Sequence, residues 1–167
     1  MAQLSRAKDF QNLHEQNNDK GLHINLGFGA SHFGPTFRAG AAFSSNKNIF
    51  SIRYLRADEF RFNVEGHYDE PARKMREYSI LYGRFIRDDF VYFSASGGLG
   101  YITGTDRGEE LAGQSYPSKE LNTIGFSYEA KFYFMPTNFF GIGISAFGSI
   151  NSQKSYAGGM IEIKIGK

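Results

Sequence analysis

Between His23 and Ile165 the chain changes character at every second residue, and it does so in eight separate runs. In the stretch from Ile124 to Phe134, Ile124, Phe126, Tyr128, Ala130, Phe132 and Phe134 alternate with Gly125, Ser127, Glu129, Lys131 and Tyr133. Successive side chains of a strand point to opposite faces, so a period of two separates an apolar row from a polar one. The same pattern covers residues 23–31, 36–44, 49–57, 77–86, 90–102, 139–150 and 155–165. Strands of soluble sheets average about 5 to 6 residues, whereas a tilted strand needs about 9 to 11 to cross a bilayer. Runs of 9 to 13 residues therefore predict an all-β fold with strands of membrane-crossing length.

Alternation does not say which face is outside, but the residue types do. One face carries Ile24, Leu26, Phe28, Phe37, Phe50, Ile52, Ile80, Phe93, Ile124, Phe126, Phe132, Ile142, Ile144, Ile161 and Ile163. The other is mostly Gly and Ser, with scattered charges of both signs at Arg38, Arg53, Glu77, Glu129, Lys131, Glu162 and Lys164. A sheet face open to water gains nothing from so much glycine. Small residues suit the narrow lumen of an eight-stranded barrel, where charges of both signs can pair. Tyr54, Tyr78, Tyr101, Phe134 and Phe140 crowd the strand ends, as in the aromatic girdles of a membrane barrel. Arg56 and Arg84 fall on the apolar face near run ends, where long side chains can snorkel. The apolar row is thus expected to face lipid, and the mixed-charge row to form a polar network around the axis. Backbone groups in lipid must all be paired within the protein, so the sheet must close. The expected architecture is an eight-stranded antiparallel up-and-down transmembrane β-barrel. A soluble calycin-like carrier with an apolar interior is the alternative that inverts the two faces.

Residues 1–21 read as a polar lead-in and 22–167 as one barrel domain. Short connections at 46–48, 87–89 and 135–138 fall on one end, and the long ones, 58–76 and 103–120, on the other. An even strand number puts both termini at the tight-turn end. No stretch is long and apolar enough for a membrane helix. The first residues, Met-Ala-Gln-Leu-Ser-Arg, carry no signal-peptide pattern, which fits either a cytoplasmic protein or a start at Met1 after a removed signal. A net charge of +2 gives no electrostatic case for nucleic acid. The absence of cysteine excludes disulfides and thiolate metal sites.

The segments "EYSILYGRFIRDDFVYFSASGGLGYITGTDRG" (77–108) and "GFSYEAKFYFMPTNFFGIGISAFGSIN" (125–151) resemble the small eight-stranded outer-membrane barrels of OmpA/OmpX-type architecture, more specifically outer-membrane barrel proteins of Bacteroidetes-like bacteria. The resemblance covers about residues 22–167. It implies a monomer in a bacterial outer membrane, termini toward the periplasm, loops 58–76 and 103–120 outward, membrane lipid as partner and extracellular ligands met through the loops. The last residues, Ile163-Lys-Ile-Gly-Lys167, depart from the aromatic end of many such barrels.

Chemistry-bearing motifs are sparse. His14, His23, His32 and His67 have no companions at metal-ligand spacing, so ordinary solvated side chains, no metal and no cofactor are expected. Some barrels of this size modify lipid A, and Ser31, His32 and Asp58 near the outer end are the one nucleophile–base–acid set that can be assembled from the sequence. A deacylase-type set would need a histidine on a late strand, and none is there. Turn residues at strand ends are the favoured account of the three, and no catalytic residue is assigned. The glycine-rich "SGGLGYITG" (96–104) lies in a strand with no helix after it, so it is no phosphate cradle. The expected function is non-enzymatic: a structural or surface-interacting barrel, with a lipid A-modifying enzyme as the alternative.

Overall fold

The computed structural model describes residues 20–59, 72–108 and 117–167. They form eight strands: β1 (Gly21–Ser31), β2 (Gly34–Ser45), β3 (Asn48–Asp58), β4 (Lys74–Arg87), β5 (Val91–Arg107), β6 (Ser118–Phe134), β7 (Phe140–Asn151) and β8 (Tyr156–Gly166). Each pairs antiparallel with the next, and β8 pairs with β1, closing the barrel. Every alternating run of the sequence lies on one of these strands. Two expected loops are shorter than the sequence suggested. Thr103–Arg107 remain paired with Ser118–Asn122, and Lys74–Arg76 pair with Thr103–Thr105. The hydropathy signal ends there because the outward row turns polar, at Thr103 and Thr105 on β5 and at Asn122 and Glu120 on β6, although the strands continue.

The stagger follows from the registers. Partners traced around the sheet from Tyr101 run through Tyr78, Tyr54, Ala39, Leu26, Ile163, Ile142 and Phe134 and return to β5 at Val91, ten residues from the start. A stagger of that size over eight strands tilts them by about 40°. An 11-residue strand such as β1 then rises roughly 27 Å along the axis, close to the apolar band of about 25 Å of a membrane barrel. β5 and β6, at 17 residues each, rise about 40 Å and stand above the rest of the rim. At the opposite end Asn46 and Lys47, at φ 50° and 66°, make a two-residue turn whose left-handed backbone matches the twist of β2 and β3.

The pleat sorts the side chains. Ile80, Leu99 and Ile124 are 72%, 69% and 68% exposed on the outer wall, and the other residues expected on the apolar row are exposed too, except half-buried Ile163. The interior is layered. Phe33, Leu55, Ala57, Met75, Ile102, Leu121, Phe147, Tyr156 and Met160 pack at the outer end. Ala42, Ile49, Phe85, Tyr92, Tyr133 and Met135 pack at the tight-turn end. Between the two lies a charged layer. This sorting removes the soluble-carrier reading, since the lumen offers an apolar ligand charge and packed side chains rather than a greasy cavity.

Candidate functional site

The charged layer is built by inward-facing residues of β2, β3, β4, β6 and β8, which the pleat aims at the same axis, so that most of its pairs run across the lumen. Arg38 on β2 reaches Glu129 on β6 at 2.9 Å and Glu162 on β8 at 2.8 Å. Arg53 on β3 pairs with Glu77 on β4 and with Glu129 at 3.3 Å. Lys131 lies 2.6 Å from Glu129. Three cations thus face three carboxylates, all buried. Hydroxyls add to the bonding of the carboxylates: Ser127 donates to Glu77 at 2.8 Å, Ser145 to Glu162 at 2.6 Å, Ser96 to Glu129 at 3.2 Å, and Tyr133 donates to Glu162. Burying charges is costly unless they are paired and hydrogen-bonded, and here balance and bonding offset the cost.

Lys164, expected among these charges, stands apart from them. Its ammonium lies 4.6 Å from the Tyr92 ring centroid, and no described carboxylate pairs with it. His23 was expected to be solvated; it is buried, with its ring 5.8 Å from that of Tyr92. Both belong to the tight-turn layer because they sit near the strand ends there, below the level of Arg38 and Glu129. Tyr133 was missed as a member of the charged layer. Its place on the odd row with Glu129 and Lys131 was the available signal.

The candidate enzymatic residues have other partners. Ser31 Oγ accepts from Thr36 Oγ1 at 2.9 Å and from the Phe33 amide at 3.2 Å. His32 Nδ1 accepts from the Ala157 amide at 3.4 Å. Asp58 accepts from Arg56 Nε at 2.7 Å. No hydrogen bond or ion pair joins the three. His14 and His67 lie outside the described residues, as do residues 60–71 and 109–116 of the outer connections.

A second cluster, hidden within the expected loops, ties the outer end together. Asp106 on β5 pairs with Arg73 at 3.1 Å and with Lys154 of the β7–β8 turn at 2.7 Å. Arg107 reaches Glu59 at 2.7 Å. Burial opposes the Asp106 carboxylate, but the hydrogen bond from Lys154, the Arg107 amide, and the charges of Lys154 and Arg73 outweigh it and hold the carboxyl below the usual carboxylate range. On the outer surface the same end carries Arg56, Arg76 and Lys74 above the tyrosine row of Tyr54, Tyr78 and Tyr101.

No protein-family model and no curated protein matches the chain by sequence. Solved structures match by shape. The N-terminal β-barrel domain of Pseudomonas aeruginosa OprF superposes with a TM-score of 0.62 at 10% identity, covering 89% of this chain and 98% of that one. Ail, the attachment invasion locus protein of Yersinia pestis, gives 0.62 at 13% identity, covering 89% and 99%. The outer membrane enzyme PagL gives 0.50 at 12% identity, covering 86% and 98%. At such identities the likeness is one of fold, and the fold is the eight-stranded antiparallel barrel of the small outer-membrane proteins.

Proposed function

We propose that the chain is a non-enzymatic barrel of a bacterial outer membrane. It crosses the bilayer as a monomer and presents its β3–β4 and β5–β6 connections outside. The observation that carries this reading is the inversion of the wall: an outer surface dominated by exposed Ile, Leu, Phe and Tyr around a lumen whose middle layer is buried Arg, Glu and Lys. In water that arrangement would expose apolar area far beyond the few hundred Å² a soluble monomer tolerates. In lipid it is the low-energy one. The barrel likenesses to OprF and Ail support the same setting. The lumen serves as a packed core, since two apolar layers cap its charges.

A non-catalytic role is supported by the separate partners of Ser31, His32 and Asp58. The fold likeness to PagL, an outer membrane enzyme, keeps an enzyme as the second reading, with lipid A the substrate that the sequence resemblance implies. Incubation of lipid A with the folded chain leaves its mass unchanged on the first reading and shifts it on the second. The membrane reading is tested by refolding. The chain is expected to need detergent or lipid to stay in solution and to migrate faster on a gel unheated than boiled. A chain that stays monomeric in buffer alone and migrates identically in both states would refute it.

A further inference from the structure

Arg56 on β3 and Arg76 on β4 stand directly opposite each other on the outer wall. Like charges so placed repel and destabilise a sheet unless something neutralises them. Arg56 has Asp58. Arg76 has no ion pair or hydrogen bond among the described residues. Lys74, two residues before Arg76 on β4, lies opposite Asp58, so three cations stand around one carboxylate whose ion pair is with Arg56. This cluster occurs at a particular height. One step toward the bilayer lie Tyr54 and Tyr78, with ring centroids 5.2 Å apart, and Tyr101 pairs with Tyr78. Tyrosines in such a row mark the membrane interface, so the arginines sit at headgroup level.

Below the tyrosines the wall is hollowed into an open groove of about 720 Å³. Its floor is low because β2 contributes Ala39 and Ala41 there, while Leu26, Ile52, Ile80 and Leu99 rise around them. Apolar below and cationic above, the feature has the polarity of one kind of molecule.

We propose that this face binds a phosphate-bearing anionic lipid of the outer leaflet. The acyl chains lie over Ala39 and Ala41, and the phosphate is shared by the guanidinium groups of Arg56 and Arg76. Planar guanidinium groups take phosphate in bidentate fashion, and an anion between the two arginines converts their repulsion into attraction. The proposal rests on the membrane-barrel reading and adds a chemical identity for one annular lipid.

The test is native mass spectrometry of the full chain in detergent, offered phosphatidylglycerol and phosphatidylcholine in equal amounts. The wild-type chain is expected to retain phosphatidylglycerol preferentially. In the R56Q/R76Q variant the preference should fall by about thirty-fold, each arginine near an anionic surface being worth about fivefold. Ala39→Leu should weaken retention of both lipids by filling the groove. Retention that persists in millimolar inorganic phosphate supports a lipid site; loss of it points to a bare phosphate site and overturns the proposal. Unchanged preference in R56Q/R76Q overturns it, as does a spectrum of protein dimers without lipid. The heat shift on gels is read in parallel. Variants that keep it are folded, and a wild-type chain that shows it yet retains no anionic lipid removes this proposal while leaving the barrel in its membrane. A wild-type chain without the shift removes both.

Discussion

Glu129 accepts more charge than any other described side chain, lying within 3.3 Å of Arg38, Arg53 and Lys131. Glu129→Gln would leave Arg38 and Arg53 with Glu162 and Glu77, but would strip Lys131 of its carboxylate. Removing one member of a buried charge network costs about 3–5 kcal/mol, and urea unfolding of the variant in lipid should show a loss of that order. Glu129→Gln combined with Lys131→Met should lose less than the sum of the single changes, because it removes the stranded cation; strict additivity would mean the two do not interact. Gly100 answers to the same layer. A Cβ there would come 2.1 Å from Ser127 Oγ and 3.0 Å from Glu77 Oε1, so this lumen glycine makes room for the Glu77–Ser127 hydrogen bond. Gly100→Ala should cost about 1–3 kcal/mol, as overpacking does, measured by the same unfolding curve.

At the level of elements, the β2–β3 turn and the raised β5–β6 hairpin each depend on a local device. Lys47 occupies a left-handed conformation that suits glycine better than a residue with a Cβ. Lys47→Gly should raise the unfolding free energy by up to about 1 kcal/mol, with Lys47→Val lowering it; equal unfolding free energies would show that the turn carries no strain. The hairpin lacks a β7 partner beyond Gly125, and Asp106 anchors it through Arg73 and Lys154. A carboxyl held low in the folded state stabilises above its ordinary value near 4, and that contribution fades as pH falls through the depressed value. Amide protection around Gly104–Arg107 should therefore hold at neutral pH and fall off below about pH 4. Asp106→Asn should show weak protection at every pH. A wild-type profile flat down to strong acid would contradict the anchoring role.

The molecule as a whole is ordered by depth. Ile144 sits midway along β7, while Ile124 lies one row below the polar top of the hairpin, where Asn122 begins. Arginine on a lipid-facing strand costs about 2–4 kcal/mol at the bilayer midplane and about 0–1 near the interface. Ile144→Arg should therefore destabilise the barrel in vesicles by several-fold more than Ile124→Arg. A wall in water would treat the two alike, so equal small effects would contradict the bilayer placement.

Strand identity, their number, the apolar and polar rows and the need for closure were all legible along the chain. Each follows from the two-residue repeat of a pleated strand, a local property. Where β5 and β6 end was not legible, because hydropathy loses its contrast once the outward row leaves the apolar belt. Nor could a linear pattern say that Lys164 and His23 lie with Tyr92 instead of among the carboxylates, or that Arg56 meets Arg76. Those neighbours are set by stagger and by register between strands far apart in sequence, so they exist only once the sheet has closed.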